Sequence, residues 1–483
     1  MRHSNKIIAA MFDPAAFRST GHDLIDLLAD ELQRNLDSER QVLNWREPLQ
    51  EDKRWQQPLP IKPSLDLSGL LQRLNEDVLP GNLGIHHPHN LGHQVATPLP
   101  AAALCDLVAA LTNQAMAVYE TGPSATMLER QVIRWLSSLI GWQYEQVNGV
   151  LTSGGAQANL TALLAARQHA QSDTWQHGVS GQLRMRIIAS EHSHYSVSRA
   201  AGIMGLGTDA VIKIATDDQG RMLLPEIMSA HQQCAERQEI VIAIVANAAC
   251  TPTGSVDPLQ AIGEYCQSQQ LWLHIDGAHG ASALLSKQHR SKLSGIELAN
   301  SVVWDGHKLL YMPATVSAVL FKSPADSYLA FAQDASYLFE SNNHEVETYN
   351  VSYRALECTK RMMALKLWAA FSLYGVEGLA SLVDEAFSQA QLFADMLEKH
   401  AEFELLMRPQ TNIVCFRHLA KNLSETELNQ HQTKTRKCIV ESGEFHLTQV
   451  ELHGKLWLRT TLMNPFTQVQ HLQHLMNCLT QHA

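Results

Sequence analysis

Ser301-Val302-Val303-Trp304-Asp305-Gly306-His307-Lys308 is the stretch around which the chain is organised. Two β-branched residues and a tryptophan run into a polar tip, which reads as a buried strand delivering a lysine to its end. Leu309 to Ala314 turns the chain, and Val316-Ser317-Ala318-Val319-Leu320-Phe321 reads as a second strand. Desolvation disfavours a lysine's ammonium form and frees the amine as a nucleophile suited to a Schiff base. On these eight residues alone, a strand-end lysine that simply reaches solvent is an equal reading. The rest of the chain must supply the partners.

The chain has 483 residues, enough for two or three domains and a large core. Its 45% hydrophobic and 18% charged content is that of a globular protein. A net charge of −11 without a basic run argues against a nucleic-acid partner. The longest apolar run, Ile240 to Ala246, is too short to cross a bilayer, so no membrane association is expected. The apolar patch after Met1-Arg2-His3-Ser4-Asn5-Lys6 is too brief for a signal peptide. Eight cysteines without a Cys-x-x-Cys pair read as reduced thiols of a cytoplasmic protein. The 24 histidines contain no His-Glu-x-x-His motif; most are read as surface residues, and no metal is assigned.

Outward from 301–308, strands alternate with helices. Upstream lie strand patterns at 149–151, 186–190, 211–214, 239–246 and 271–276. Helical patterns near 159–167, 196–204, 224–236 and 258–268 separate them. Such alternation implies a mostly parallel sheet covered on both faces, with ligands at the carboxyl ends of its strands. Further upstream, apolar spacing predicts helices at 13–35, 66–78, 100–117 and 124–141, with an extended connector over 45–64. Downstream, helices at 355–373 and 377–399 flank Gly375, and shorter strands and helices follow. This gives an N-terminal helical segment, 1–85, that cannot bury a core alone. A large domain, 86–375, and a small α/β domain, 376–483, complete the chain.

Three strand-end features converge. The turn Thr152-Ser153-Gly154-Gly155-Ala156 opens a helix, whose free N–H groups suit a phosphate. Asp276 ends one strand and Lys308 another. Pyridoxal phosphate needs all three: N–H donors for its phosphate, a carboxylate for its ring nitrogen and a lysine for its aldehyde. Ala278 is small enough for a flat ring to lie against, and His194 offers an aromatic face for the other side. Taken singly, each residue is more often structural: Asp276 as a turn cap, His194 as a core histidine.

Leu151-Thr152-Ser153-Gly154-Gly155-Ala156-Gln157-Ala158-Asn159 and His194-Tyr195-Ser196-Val197 are followed by Asp276-Gly277-Ala278 and Asp305-Gly306-His307-Lys308. Leu458-Arg459-Thr460-Thr461-Leu462-Met463-Asn464-Pro465 closes the series. On these motifs the chain resembles the group II pyridoxal-phosphate-dependent amino-acid decarboxylases, from about Phe12 to about Gln470. The resemblance implies an aspartate-aminotransferase-like α/β fold (fold type I) and a homodimer intertwined through the N-terminal segment. It implies Lys308 bonded to the cofactor aldehyde, Asp276 on the ring nitrogen, and His194 and Ala278 on the two ring faces. Gly155, Ala156, His307 and Ser153 would hold the phosphate. Ala249-Cys250-Thr251 stands where the family often has Gly-Thr-Thr. Cys250 thus replaces a common hydroxyl, and Thr251 is the neighbouring cofactor contact.

The implied reaction is decarboxylation of an L-amino acid to its amine. The catalytic residues would be Lys308, His194 and Tyr349, the last delivering a proton from a loop, 334–353, that closes over the site. The expected substrate is small and polar, with 2,4-diaminobutyrate in first place. His89 and Asn90 stand where aromatic decarboxylases often carry aromatic residues, and Glu120 would receive a distal ammonium. Met312 to Phe321 resembles the diaminobutyrate branch. Against this, Glu120 is equally an ordinary helix-terminal acid. Glutamate, aspartate or aromatic substrates, an aminotransferase or aldehyde-forming relative, and a non-catalytic interaction protein are the rivals. In the expected dimer, residues 87–94 approach the partner's cofactor.

Overall fold

A lysine brought to a strand end needs a sheet to hold that strand, and the chain builds one from its apolar runs. In the computed structural model the residues described are 3–143, 148–179, 181, 183–331 and 348–481. The seven-stranded sheet contains β1 (Gly149–Thr152), β2 (Met185–Ser190), β3 (Val211–Ile214), β4 (Ile240–Asn247), β5 (Leu273–Asp276), β6 (Ser301–Asp305) and β7 (Ser317–Phe321). Their order is β1-β7-β6-β5-β4-β2-β3. Only β7 runs against its neighbours. The central strands are buried along nearly their whole length, as expected where helices cover both faces. Register sets Asn247 beside Asp276 and Asp305 beside Ser317, so three polar strand ends share one edge.

The helix Gly155–Ala170 covers this sheet and buries eleven residues, from Ala158 to Gln168. It starts one turn earlier than the apolar pattern predicts. Gly155 explains the difference: a Cβ there would meet the Asp305 carboxylate oxygens at 2.9 and 3.0 Å. Only glycine lets the first helical turn approach β6 so closely.

By internal contacts the chain forms two compact units. One joins Met1–His93 to Met396–Glu404 and Phe416–Ala483; the other is Gln94–Asp395 with Leu405–Cys415. These bounds differ from those drawn at 85 and 375 from sequence. Backbone hydrogen bonds account for the first unit: Val42 N donates to Gly443 O, Leu91 N to His446 O and Thr461 N to Leu91 O. The N-terminal residues thus gain the core they lack alone. A four-stranded sheet, ordered β10-β11-β9-β8, comprises β8 (Phe403–Leu405), β9 (Ile413–His418), β10 (Thr448–Leu452) and β11 (Lys455–Thr461).

Gly375 separates two helices, as the sequence predicts: within Ala364–Glu398 its φ of 64° and ψ of 179° are non-helical and turn the chain before helix resumes. Residues 355–363, predicted helical, are not: Met116 and Lys360 exchange backbone bonds as an isolated bridge. The fully buried Lys360 ammonium reaches the Glu129 carboxylate and donates to Leu151 O at 2.7 Å. The connector over 45–64 holds a short helix, Pro48–Trp55, tied by Trp55 Nε1 to Glu51 Oε1 at 2.7 Å.

Candidate active site

Strand ends and the glycine turn enclose a cavity of about 260 Å³. Eight of the residues expected at the site line it: Gly155, Ala156, His194, Thr251, Asp276, Ala278, His307 and Lys308. The N-terminus of Gly155–Ala170 opens on it, a placement that favours an anion. Lys308 Nζ lies 3.0 Å from Asp305 Oδ2, and Ser317 Oγ also donates to that buried carboxylate. His307 Nδ1 bonds Val316 O at 2.9 Å, which anchors the residue before the lysine to the next strand.

Asp276, at the end of β5, receives Asn159 Nδ2 at 3.0 Å and Ala278 N at 3.2 Å. Asn159 also donates to Ser196 Oγ at 2.9 Å, and Ser196 Oγ lies 2.8 Å from His194 Nδ1. Behind Asn159, His274 Nε2 sits 2.9 Å from Asn159 Oδ1, and His274 Nδ1 sits 2.9 Å from Ser301 Oγ. Trp272 Nε1 donates to Ser301 Oγ at 3.0 Å. One assignment of protons satisfies every link. Ser301 takes the indole proton and donates to His274 Nδ1. His274 donates from Nε2 to the Asn159 carbonyl, and the Asn159 amide serves Asp276 and Ser196. Ser196 then donates to His194 Nδ1, leaving the proton of His194 on Nε2. The scheme needs a neutral His274, and burial holds its pKa down at about 4. Burial likewise lowers His194, against the opposing pull of Asp276.

Sequence reasoning gave no role to Asn159, His274 or Asp305. Two signals were available. His274 and Asp276 share a strand face by the period of two. Asn159 follows Gly155 by four residues, one helical turn. Cys250 lines the cavity, and its Sγ lies 3.1 Å from Thr253 Oγ1 with burial raising the thiol. The preceding residue, Ala249, adopts φ 71°, a conformation that costs a non-glycine residue about 1–3 kcal/mol and collects at functional sites.

The remaining expected residues stand elsewhere. Ser153 is exposed, and its Oγ donates to Gln157 Oε1 at 2.6 Å instead of facing the cavity. Glu120 is exposed on the turn Tyr119–Thr121. Tyr349 lies under the Arg130 guanidinium, 4.1 Å from ring centre, and 5.9 Å from the Tyr119 ring. Of the expected closing loop, residues 334–347 lie outside the described residues. His89 stacks on Phe445 at 4.0 Å and bonds Glu444 O through Nδ1 at 2.9 Å. Asn90 Oδ1 pairs with His446 Nδ1 at 2.9 Å. Glu120, Tyr349, His89 and Asn90 are all absent from the cavity lining.

The donor set fits pyridoxal phosphate. It offers helix N–H groups for a dianion, a buried carboxylate for a ring nitrogen, a lysine for an aldehyde, and Ala278 and His194 for the ring.

Comparison with known proteins agrees. The family described as pyridoxal-dependent decarboxylase conserved domain matches residues 48–419. Cysteine sulfinic acid decarboxylase of Rattus norvegicus is 31% identical over 415 residues, which are 84% of this chain and 82% of that protein. L-2,4-diaminobutyrate decarboxylase of Acinetobacter baumannii is 27% identical over 430 residues, 86% of this chain and 84% of that one. The crystal structure of mouse CSAD superposes with a TM-score of 0.90 at 26% identity, covering 97% of this chain and 99% of that chain. The fold is thus of the aspartate-aminotransferase type, fold type I.

Proposed function

Because the chain belongs to the pyridoxal-dependent decarboxylase family, and is therefore a pyridoxal-phosphate-dependent amino-acid decarboxylase, we propose that its substrate is a small polar L-amino acid, with a diamino acid such as 2,4-diaminobutyrate first. The observation that carries this is the cavity lining. Its single lysine or arginine among the described residues is Lys308, which the cofactor claims. A substrate with a distal carboxylate finds no second cation there, and burying an unpaired charge is costly. Glu120 is exposed and outside this chain's cavity lining, and is the carboxylate we assign to a distal ammonium in a site completed across a dimer interface. The relative from Acinetobacter baumannii is named for such a substrate. An acidic substrate is the second reading, favoured by the 31% identity to a cysteine sulfinic acid decarboxylase.

Bound pyridoxal phosphate supplies an electrophilic carbon for an amine and a protonated ring that accepts the electron pair left by CO2. The chain's own groups divide the rest. Gly155 and Ala156 hold the phosphate with N–H groups, helped by His307. Thr251 offers a hydroxyl beside Cys250. Asp276 keeps a proton on the ring nitrogen, and Asn159 keeps Asp276 in place. Ala278 and His194 flank the ring and exclude water from it. Lys308 would hold the cofactor's aldehyde carbon, and its amine could act as a base within the cavity.

Specificity constants for 2,4-diaminobutyrate, ornithine, glutamate, aspartate and DOPA test the substrate reading. The diamino acids are expected to lead by at least about tenfold, and Glu120→Gln to erase most of that lead, since one charge-assisted bond contributes on that scale. A leading acidic or aromatic substrate ends the diamino reading. A lead unchanged in Glu120→Gln removes Glu120 from substrate recognition.

We further propose a cytoplasmic homodimer. All eight cysteines are free thiols, as in a reducing compartment. No helix among the described residues is long and apolar enough to cross a membrane. On Pro100–Thr112, Leu104, Leu107, Val108 and Leu111 make an exposed apolar stripe at helical spacing. Phe17, Ile25 and Leu28 are exposed on Pro14–Leu36. Light scattering should give twice the chain mass, and Leu107→Glu should shift the protein toward monomer. A fully active monomeric wild type contradicts the assignment.

A further inference from the structure

The sequence reading leaves most of the 24 histidines on the surface. Several instead cluster in space, with the rings of His87, His471 and His474 around that of His89. Glu444 follows Gly443, the left-handed cap of Glu425–Ser442. His474 and Cys478 stand four residues apart on Val469–Gln481 and so share a helix face. His474 Nε2 lies 2.7 Å from Glu444 Oε1, and Cys478 Sγ lies 3.8 Å from both ring nitrogens of His474. One ligand atom from each of the three falls within 4.8 Å of the others. None of the three lines the cofactor cavity.

We propose that Glu444, His474 and Cys478 form a binding site for a thiophilic divalent cation, zinc in particular. Ligand distances of about 2.0–2.3 Å for carboxylate, imidazole and thiolate put neighbouring tetrahedral ligands roughly 3.3–3.7 Å apart. The observed separations of 2.7 and 3.8 Å bracket that span, so side-chain rotation alone opens the site. Charge also closes. A thiolate and a carboxylate balance a dication, and neutral imidazole adds none, so the occupied site carries no net charge beside the buried Cys478. One thiolate and one imidazole favour zinc over magnesium or calcium, which take oxygen ligands.

His89 stands beside the three ligands but outside their group: its Nδ1–H donates to the Glu444 carbonyl, and its ring centre is 5.7 Å from that of His474. Water takes the fourth position. Binding breaks the Cys478 S–H bond, forms a metal–sulfur bond and releases one proton to solvent.

The test uses holoenzyme freed of metal by chelator dialysis and titrated with Co2+ as a spectroscopic probe. Wild type should take up one Co2+ per chain, with long-wavelength ligand-field bands typical of tetrahedral cobalt, clear of cofactor absorption. Zn2+ should displace it and raise the melting temperature. His474→Gln and Cys478→Ser should each weaken binding by about a hundredfold, as loss of a ligand from a three-residue site predicts. His474 is half-exposed, so its variant folds whether or not a serine is tolerated at 478. Absence of stoichiometric Co2+ uptake by wild type overturns the proposal. So does uptake unchanged in His474→Gln, which would leave the ion pair and the buried thiol as packing features alone.

Discussion

Lys308→Ala is expected to lower turnover on the order of 10⁴-fold or more, the scale on which enzymes lose a residue that does covalent work. In the wild type, borohydride should fix the cofactor to a single peptide containing Lys308. In the variant that label should vanish and bound cofactor should wash out on gel filtration. The neighbouring carboxylate makes the label the decisive readout. Lys308 is the nearest cation to the buried Asp305, and removing one member of a buried pair costs roughly 3 kcal/mol. Activity could therefore fall through stability alone, whereas the attachment point cannot move for that reason. A label found on another lysine sinks the assignment of Lys308.

Asn159→Asp should be the next most damaging change, although position 159 makes no bond to substrate in this scheme. The variant keeps size and shape. It replaces a donor by a carboxylate 3.0 Å from the Asp276 oxygen, and two carboxylates at that distance do not both ionise. Asp276 then takes up a proton or turns away, and the negative charge opposite the ring nitrogen is lost. The same amide serves Ser196, so His194 also loses its fixed tautomer. We expect turnover to fall by about a hundredfold, in line with a small misplacement of catalytic groups. The pH titration of the bound cofactor's visible absorption should shift, while the melting temperature of the cofactor-free protein changes little. Turnover and titration both unchanged would remove Asn159 from control of the site.

Much of this site is legible in the chain because its pieces are local. Lys308, Asp276 and the glycine turn each close a strand, and a strand end followed by a glycine, histidine or small residue is visible in eight or ten residues. The hydrogen-bond relay was not legible, because it joins residues 159, 196, 274 and 301, which only the sheet brings together. Ser153 failed for the opposite reason. It stands in the right motif, yet Gln157, one turn along the helix and itself bonded to Glu357, captures its hydroxyl. In the polar loop at 87–94, expected to approach a partner's cofactor, much of the polarity is used in fixed bonds within this chain: His87 to Arg40 O, His89 to Glu444 O and Asn90 to His446. The helix predicted over 355–363 gave way to a buried ion pair, since periodicity records apolar spacing and not the pull of Glu129 on Lys360.

The sheet order also sets a timetable for synthesis. β1 has one neighbour in the sheet, β7, with Gly149 opposite Leu320 and Thr152 opposite Ser317. At roughly 5–20 residues per second, a ribosome takes on the order of ten seconds to travel from one to the other. For that interval the apolar Val150 and Leu151 lack the strand they pair with, although β2 to β6 can pair with one another as they are made. The nascent chain must carry this unpaired strand past the exit tunnel, which makes it a natural handle for a chaperone and a point of aggregation when translation stalls. Cofactor cannot be loaded earlier, because the anion-binding turn after β1 and the lysine after β6 share a wall only once β7 has been inserted between their strands.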